Sequence, residues 1–165
     1  MPVCASDVAF DRVRPGDAGW VILRHGALYA ADAGVDRSFE PVVARILAAC
    51  VESHDPAMER GWITRAGVRR LGSIFCRRGP APGVARQRLF LVEPEARGLG
   101  LGQGLCAACL AFAREAGYAR MRLAVRESHR AACALHAKSG FSCTRSEPVR
   151  SFGVDLVARG WTRDL

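Results

Sequence analysis

The sequence predicts an α/β (α+β) fold in which strands and helices alternate around one core, and three observations carry that prediction. A chain of 165 residues with 50% hydrophobic and 24% charged content suits a single unit with a normal interior, taken as residues 1–165. An apolar run, Leu89-Phe90-Leu91-Val92, ends at Glu93-Pro94 and enters a glycine-rich turn, Arg97-Gly98-Leu99-Gly100-Leu101-Gly102, before an alanine-rich helical pattern. Four apolar residues in a row suit a strand buried on both faces, and glycines at a helix start leave backbone N–H groups open to an anion. Elsewhere, stretches of period two alternate with stretches whose apolar residues recur at helical spacing.

Residues 8–14 alternate imperfectly and stop at Pro15-Gly16-Asp17, which predicts a first strand and a turn able to cap a helix. From Asp17 to about Ala31 the apolar residues Trp20, Leu23, Leu28 and Tyr29 recur only loosely, which predicts a broken helix or a helix and loop. Between Phe39 and Val51, the residues Val42, Val43, Ile46, Leu47 and Cys50 follow helical spacing, with Pro41 in the first turn. Residues 61–64 and 68–76 read as a hairpin turning at Gly67, and the breaker-rich loop 77–83 leads to a strand from about Ala85. After the glycine turn, Leu101, Leu105, Ala108, Cys109, Phe112, Ala113 and Ala116 share one helical face that ends at Gly117. Residues 120–126 alternate as a strand, a helix through Ala131, Ala132, Leu135 and His136 closes at Gly140, and extended structure resumes at 141–144 and 152–161. Exposed strand edges near 61–76 or 152–161 could pair with a second copy, giving a homodimer.

Composition narrows the function classes. The net charge of +8 comes from one lysine, Lys138, against 23 arginines, which points to coding bias, with an acidic partner as the other reading. No helix-turn-helix pattern, zinc spacing or basic run interleaved with aromatics is present, so no nucleic-acid partner is expected. Seven cysteines scattered through apolar segments read as reduced core thiols, and Cys106 and Cys109 sit in a helical pattern without further ligands, so no metal is expected. The first residues lack a basic stretch followed by an apolar one, and no apolar run nears the roughly 20 residues of a membrane span. A cytoplasmic chain is therefore expected, with no membrane partner.

Spacing decides what the glycine turn holds. A P-loop needs a lysine after its last glycine, and the glycines at 98, 100, 102 and 104 do not complete a dinucleotide fingerprint. Arg97-Gly98-Leu99-Gly100-Leu101-Gly102 resembles the R/Q-x-x-G-x-G turn of the GNAT N-acetyltransferases, and the order of elements is that family's order. Its second signature, Asn-x-x-Ala-x-x-x-Tyr-x-x-x-Gly-Phe, finds its frame in residues 129–141, from His129 to Gly140-Phe141. The runs 92–102 and 151–156 are similar, more narrowly, to acetyltransferase domains that follow a MarR-type winged helix in longer chains.

The resemblance implies a GNAT fold: a mixed, mostly antiparallel sheet of six or seven strands flanked by about four helices, with splayed central strands. It also implies transfer of an acetyl group from acetyl-CoA, the co-substrate, to a primary amine on a small-molecule or peptide acceptor, without a metal. Leu91 and Val92 would pair with the pantetheine arm, and Arg97 with Gly98, Leu99, Gly100 and Gly102 would bind the diphosphate. His129 and Arg130 stand at the start of the helix that flanks the adenine end; both would contact the cofactor, Arg130 through a phosphate. Glu93 is the candidate general base, with a turn-capping or solvent-facing role as the alternative. His136 stands where the family's tyrosine protonates the departing thiolate, and an imidazole of ordinary pKa can donate that proton. By the same resemblance the acceptor meets the early helices and the loop before the fourth strand, where no motif is visible and Trp20, His25, Tyr29 and the loop 77–83 are the candidate contacts. The other function class is a non-catalytic acyl-CoA-binding regulatory module.

Overall fold

The computed structural model describes residues 5–165. Its elements run β1 (Ala9–Arg12), α1 (Asp17–Ala33), α2 (Phe39–Glu52), β2 (Arg60–Ala66), β3 (Arg69–Arg78), β4 (Val84–Val92), α3 (Leu101–Glu115), β5 (Arg120–Arg126), α4 (Arg130–Lys138), β6 (Ser142–Ser151) and β7 (Val154–Asp164). The seven strands form one sheet in the order β1-β2-β3-β4-β5-β7-β6. All neighbours are antiparallel except β4 and β5, which pair in parallel only through Val84–Arg120, Ala85–Met121 and Arg86–Arg122. Beyond Arg86 the two strands part, so the splay implied by resemblance is present.

The sheet separates two apolar layers. On one face α3 buries Leu105, Cys106, Cys109, Phe112 and Ala113 against Trp62, Ile74, Met121, Leu123 and Trp161. On the other, α1 and α2 bury Val21, Val43, Leu47 and Cys50 against Ile63 and Phe75. Six cysteines are free thiols, all buried except Cys143; Cys4 lies outside the described residues.

Three expectations are corrected. The segment after Gly16 is one continuous helix of 17 residues, because its buried face consists of Asp17, Val21, His25 and Gly26 rather than an apolar stripe, while Leu23 is exposed. The outer strands of the sheet are β1 and β6, so residues 62–65 and 158–161 are paired on both sides, whereas residues 154–156 pair with β6 alone because β5 reaches only as far as Ala158. The last strand begins after Phe152, which forms a two-residue hairpin turn with Gly153 at φ values of 54° and 76°. That turn docks on the α1–α2 connection: the Asp36 N–H donates to the Phe152 carbonyl at 2.9 Å, and the Phe152 ring meets Phe39 edge-on at 5.0 Å.

A buried ionic knot ties the start of α1 to the β2–β3 hairpin. Asp17 has no exposed surface and accepts hydrogen bonds from the Arg14 N–H and Arg70 Nε, each at 2.7 Å, and from Arg65. Burial pushes its carboxyl pKa upward, but the bonds from Arg65, Arg14 and Arg70 outweigh this and hold it below the usual range.

Candidate active site

The glycine turn is shaped by two separate demands. Gly98 and Gly100 have φ values of 82° and 78°, which L side chains rarely adopt, and a Cβ at either would meet nothing within 4 Å. Gly102 and Gly104 instead admit close neighbours: a Cβ on Gly104 would fall 2.6 Å from the Phe10 ring, and one on Gly102 3.3 Å from Phe90 and Leu135. The first pair therefore makes an open concavity at the α3 N-terminus, and the second packs α3 onto its surroundings. The first intrahelical bond recorded at this end is from Gly104 N to Gly100 O, so the amides of Leu101, Gly102 and Gln103 have no helical partner.

The concavity opens into a cleft of about 380 Å³ lined by Leu28, Tyr29, Asp32, residues 90–92, Arg97, Gly98, Gly100, Gly102 and His129, among others. Arg97, half exposed, reaches across its mouth, 3.6 Å from Asp32 and 3.4 Å from the Val92 carbonyl. A second cavity of about 390 Å³ occupies the splay itself, between residues 87–90 of β4 and 123–126 of β5. Its far walls are Val42, Val43 and Ile46 of α2 together with Phe39, Phe152 and Leu156, and Tyr29, Phe90, His129 and Ala132 line both spaces.

The splay follows an irregularity in β4. Between Ser73 and Phe75 of β3 the register slips, and Leu89 adopts a φ of 51°. The Ser73 hydroxyl donates to the Leu89 carbonyl at 2.8 Å. A bulge of this kind sharpens local twist and re-aims the side chains that follow it.

The residues singled out from the sequence fall into three groups. Leu91, Val92, Arg97, Gly98, Gly100, Gly102 and His129 all line the first cleft. Leu99 and Arg130 do not: Leu99 packs beside Leu71, Ala96 and Leu101, and Arg130 is exposed at the first turn of α4. Glu93, expected as a base, is 4% exposed and lines neither space; Arg24 grips it through both oxygens, at 2.6 and 2.7 Å. Both carboxylate oxygens are thus engaged by one guanidinium, and the pair ties α1 to the end of β4.

His136 is 2% exposed, lines the second cavity, and lies 5.7 Å from the rings of Phe90 and Phe141. Burial, reinforced by His129, lowers its pKa to about 4, so the imidazole is neutral near pH 7. Burial likewise lowers the pKa of His129, with Arg126 and Arg97 adding to the effect.

Of the candidate acceptor contacts, His25 and Tyr29 line the second cavity, whereas Trp20 and the loop 77–83 do not. His25 is 2% exposed and lines the second cavity, and its Nδ1–H donates to the Val21 carbonyl at 2.8 Å. A carbonyl only accepts, so in the neutral ring Nε2 carries a lone pair, and that atom is buried without a partner. Burial lowers its pKa to about 4 despite the Val21 bond. The signal in the sequence was a polar residue on the buried side of a helix, the same feature that blurred the helical period. No cluster of three or more metal-ligating side chains occurs among the described residues, and no described helix is long and apolar enough to cross a membrane.

The arrangement has relatives. A GCN5-related N-acetyltransferase from Kribbella flavida superposes with a TM-score of 0.73 at 22% identity, covering 97% of this chain and 99% of that one. YncA of Salmonella typhimurium, solved with its cofactor acetyl-CoA, superposes with a TM-score of 0.73 at 19% identity, covering 96% and 94%. Identities this low establish the shared fold. The mycothiol acetyltransferase of Paenarthrobacter aurescens is 38% identical over 68 residues, which is 41% of this chain but only about a fifth of that protein. The sequence profile of the acetyltransferase (GNAT) family matches residues 28–141, spanning the cleft, the glycine turn and the second signature, and the chain belongs to that family.

Proposed function

We propose that the chain is an N-acetyltransferase that moves the acetyl group of acetyl-CoA to a primary amine of a small molecule or peptide. One observation carries the reading: an open αL glycine turn at a helix N-terminus opens into a cleft that shares Tyr29, Phe90, His129 and Ala132 with the cavity between two splayed parallel strands. Acetyl-CoA, when bound, supplies the activated acyl thioester. The site fits it, since the concavity at Gly98 and Gly100 is free of side chains and the helix-start amides await acceptors. Arg97 and the amides of Gly98, Gly100 and Gly102 would hold the diphosphate, with the positive end of α3 adding to the attraction. Leu91 and Val92 would offer main-chain groups on the side of β4 that β5 has left, and a β4 amide would stabilise the charge that develops on the carbonyl oxygen.

His25 Nε2 is an unpartnered acceptor on a residue of the second cavity, where His136 Nδ1 is also without a partner, and it is suited to take a hydrogen bond from the incoming amine. His136, neutral in its apolar surroundings, would act on the departing sulfur as a hydrogen-bond donor rather than as an imidazolium acid. We read residues 1–165 as one acetyltransferase unit working in the cytoplasm, akin to the acetyltransferase part of MarR-linked chains along residues 92–102 and 151–156.

Release of thiol from acetyl-CoA across a panel of small amines, polyamines, amino acids and peptide N-termini tests the proposal. Turnover with one amine class supports it. The pairing of Glu93 and the loss of charge on His136 favour a second reading, a non-catalytic acyl-CoA-binding module, which predicts tight acetyl-CoA binding with no thiol release for any amine.

A further inference from the structure

The acceptor's chemistry is written in the charges around the second cavity, an inference that rests on the transferase reading above. Ala85, Met121 and Leu123 face the α3 core, so the residues that alternate with them, Arg86 and Arg88 on β4 and Arg122 and Arg126 on β5, face the α1–α2 side. Arg86 and Arg122 are register partners, placing like charges side by side on adjacent strands. Among the described residues no carboxylate pairs with any of these four. The arginines around them are different: Arg77 is paired with Glu59, Arg120 with Asp164, Arg145 with Glu147 and Arg159 with Glu127.

Arg88 and Arg126 line the cavity, whose walls contain no aspartate or glutamate. Arg126 is spoken for in part, with its guanidinium 4.2 Å from the Tyr29 ring centroid. Arg88 is half-buried and has no hydrogen-bond or ion-pair partner among the described residues. Burial, and then the neighbouring Arg86, push its pKa down, as expected of a cation without a counter-charge. Facing it across the cavity are the apolar groups of Phe39, Val42, Ile46 and Leu156. A half-buried guanidinium without an acceptor is costly unless a ligand supplies the anion.

We propose that the acceptor is an amine that also carries a carboxylate and an apolar body, as a hydrophobic amino acid does, with Arg88 taking the carboxylate and the Phe39–Ile46–Leu156 wall taking the apolar body. A polycationic amine meets the opposite conditions: four unpaired arginines repel it and no acidic side chain receives it. The cavity's volume of about 390 Å³ is within the range of small-molecule sites.

The test measures thiol release from acetyl-CoA by the full chain with phenylalanine, phenylalanine amide, phenethylamine and spermidine, alongside calorimetry of acetyl-CoA binding. Phenylalanine is expected to exceed phenethylamine and the amide by about 10- to 100-fold in kcat/KM, the scale of a charge-assisted contact. Arg88→Ala should bring that ratio to within about threefold while leaving the KM for acetyl-CoA within about twofold, and Arg88→Lys should restore part of the ratio. Equal or better turnover of phenethylamine or spermidine by the unsubstituted chain overturns the assignment, as does a ratio that survives Arg88→Ala. Acetyl-CoA binding with no release from any of the four also overturns it, whereas absence of acetyl-CoA binding overturns the transferase reading beneath it.

Discussion

Replacing Glu93 with glutamine separates a carboxylate that moves protons from one that holds the site together. In the native chain both Glu93 oxygens accept from Arg24, and the Glu93 side chain is 5% exposed against 31% for Arg24. Glutamine keeps one acceptor but turns an N–H donor toward the guanidinium, so one bond is lost and the other loses its ionic character. Breaking a fully buried pair costs about 3–5 kcal/mol, and because a third of Arg24 remains in water the cost here drops to about 1–3 kcal/mol. At this chain length that lowers Tm by about 2–12 °C. A thermal melt should show the shift, while kcat at saturating substrates stays within about threefold of wild type and keeps the same pH profile. An unchanged Tm together with a 100-fold fall in kcat and loss of the low-pH limb would make Glu93 the general base and refute the positioning role.

Arg97→Ala should raise the KM for acetyl-CoA by about 5- to 20-fold, the lower part of the range for a charged hydrogen bond because Arg97 is half exposed. Tm should hardly move, since its 3.6 Å pair with Asp32 is a surface one. Asp17→Ala leaves Arg65, only 8% exposed, without its main counter-ion and should cost about 3–5 kcal/mol in urea unfolding. His25 and His136 titrate near 4 in the folded chain, against about 6.5 when unfolded. The unfolded chain therefore binds more protons between those values, so their contribution is complete above about pH 6.5 and is lost as the pH falls toward 4. Unfolding free energies at pH 7.5, 6 and 5 should decline in that order, and His25→Phe or His136→Phe should flatten the slope.

The sequence made most of the sheet and both ends of α3 legible, for reasons that differ by element. Alternation at Met121, Leu123 and Val125 survives because β5 is apolar on its α3 face and carries arginines on the other. Gly67, Gly117 and Gly140 stop elements where a positive φ is required, and all three have one. α1 was blurred because half of what it buries is polar: Asp17 and His25 are there for an ionic knot and a cavity, and neither follows the apolar period. The nucleotide side of the site was readable as a motif because one short turn supplies it. The acceptor side was not, since His25, Arg88 and Phe152 come from three distant segments and share no spacing.

The bulge at Leu89 explains why those segments meet. A leucine at a φ of 51° costs about 1–2 kcal/mol relative to ordinary backbone, and no propensity rule would put one there. It is held by the Ser73 hydroxyl on its carbonyl and by packing of its side chain in the α1–α2 layer. Pairing of β4 with β5 ends at Arg86, just before this residue, so the added twist falls where the strands separate. The same irregularity lets Arg88 and Leu89 both serve the α2 side and then returns Phe90 to the side of His136. An unbulged β4 could continue pairing with β5 and would close the space in which acetyl donor and amine must meet. Strain at one residue is thus tied to the opening that the chemistry requires, and its cost is offset by the packing that holds it.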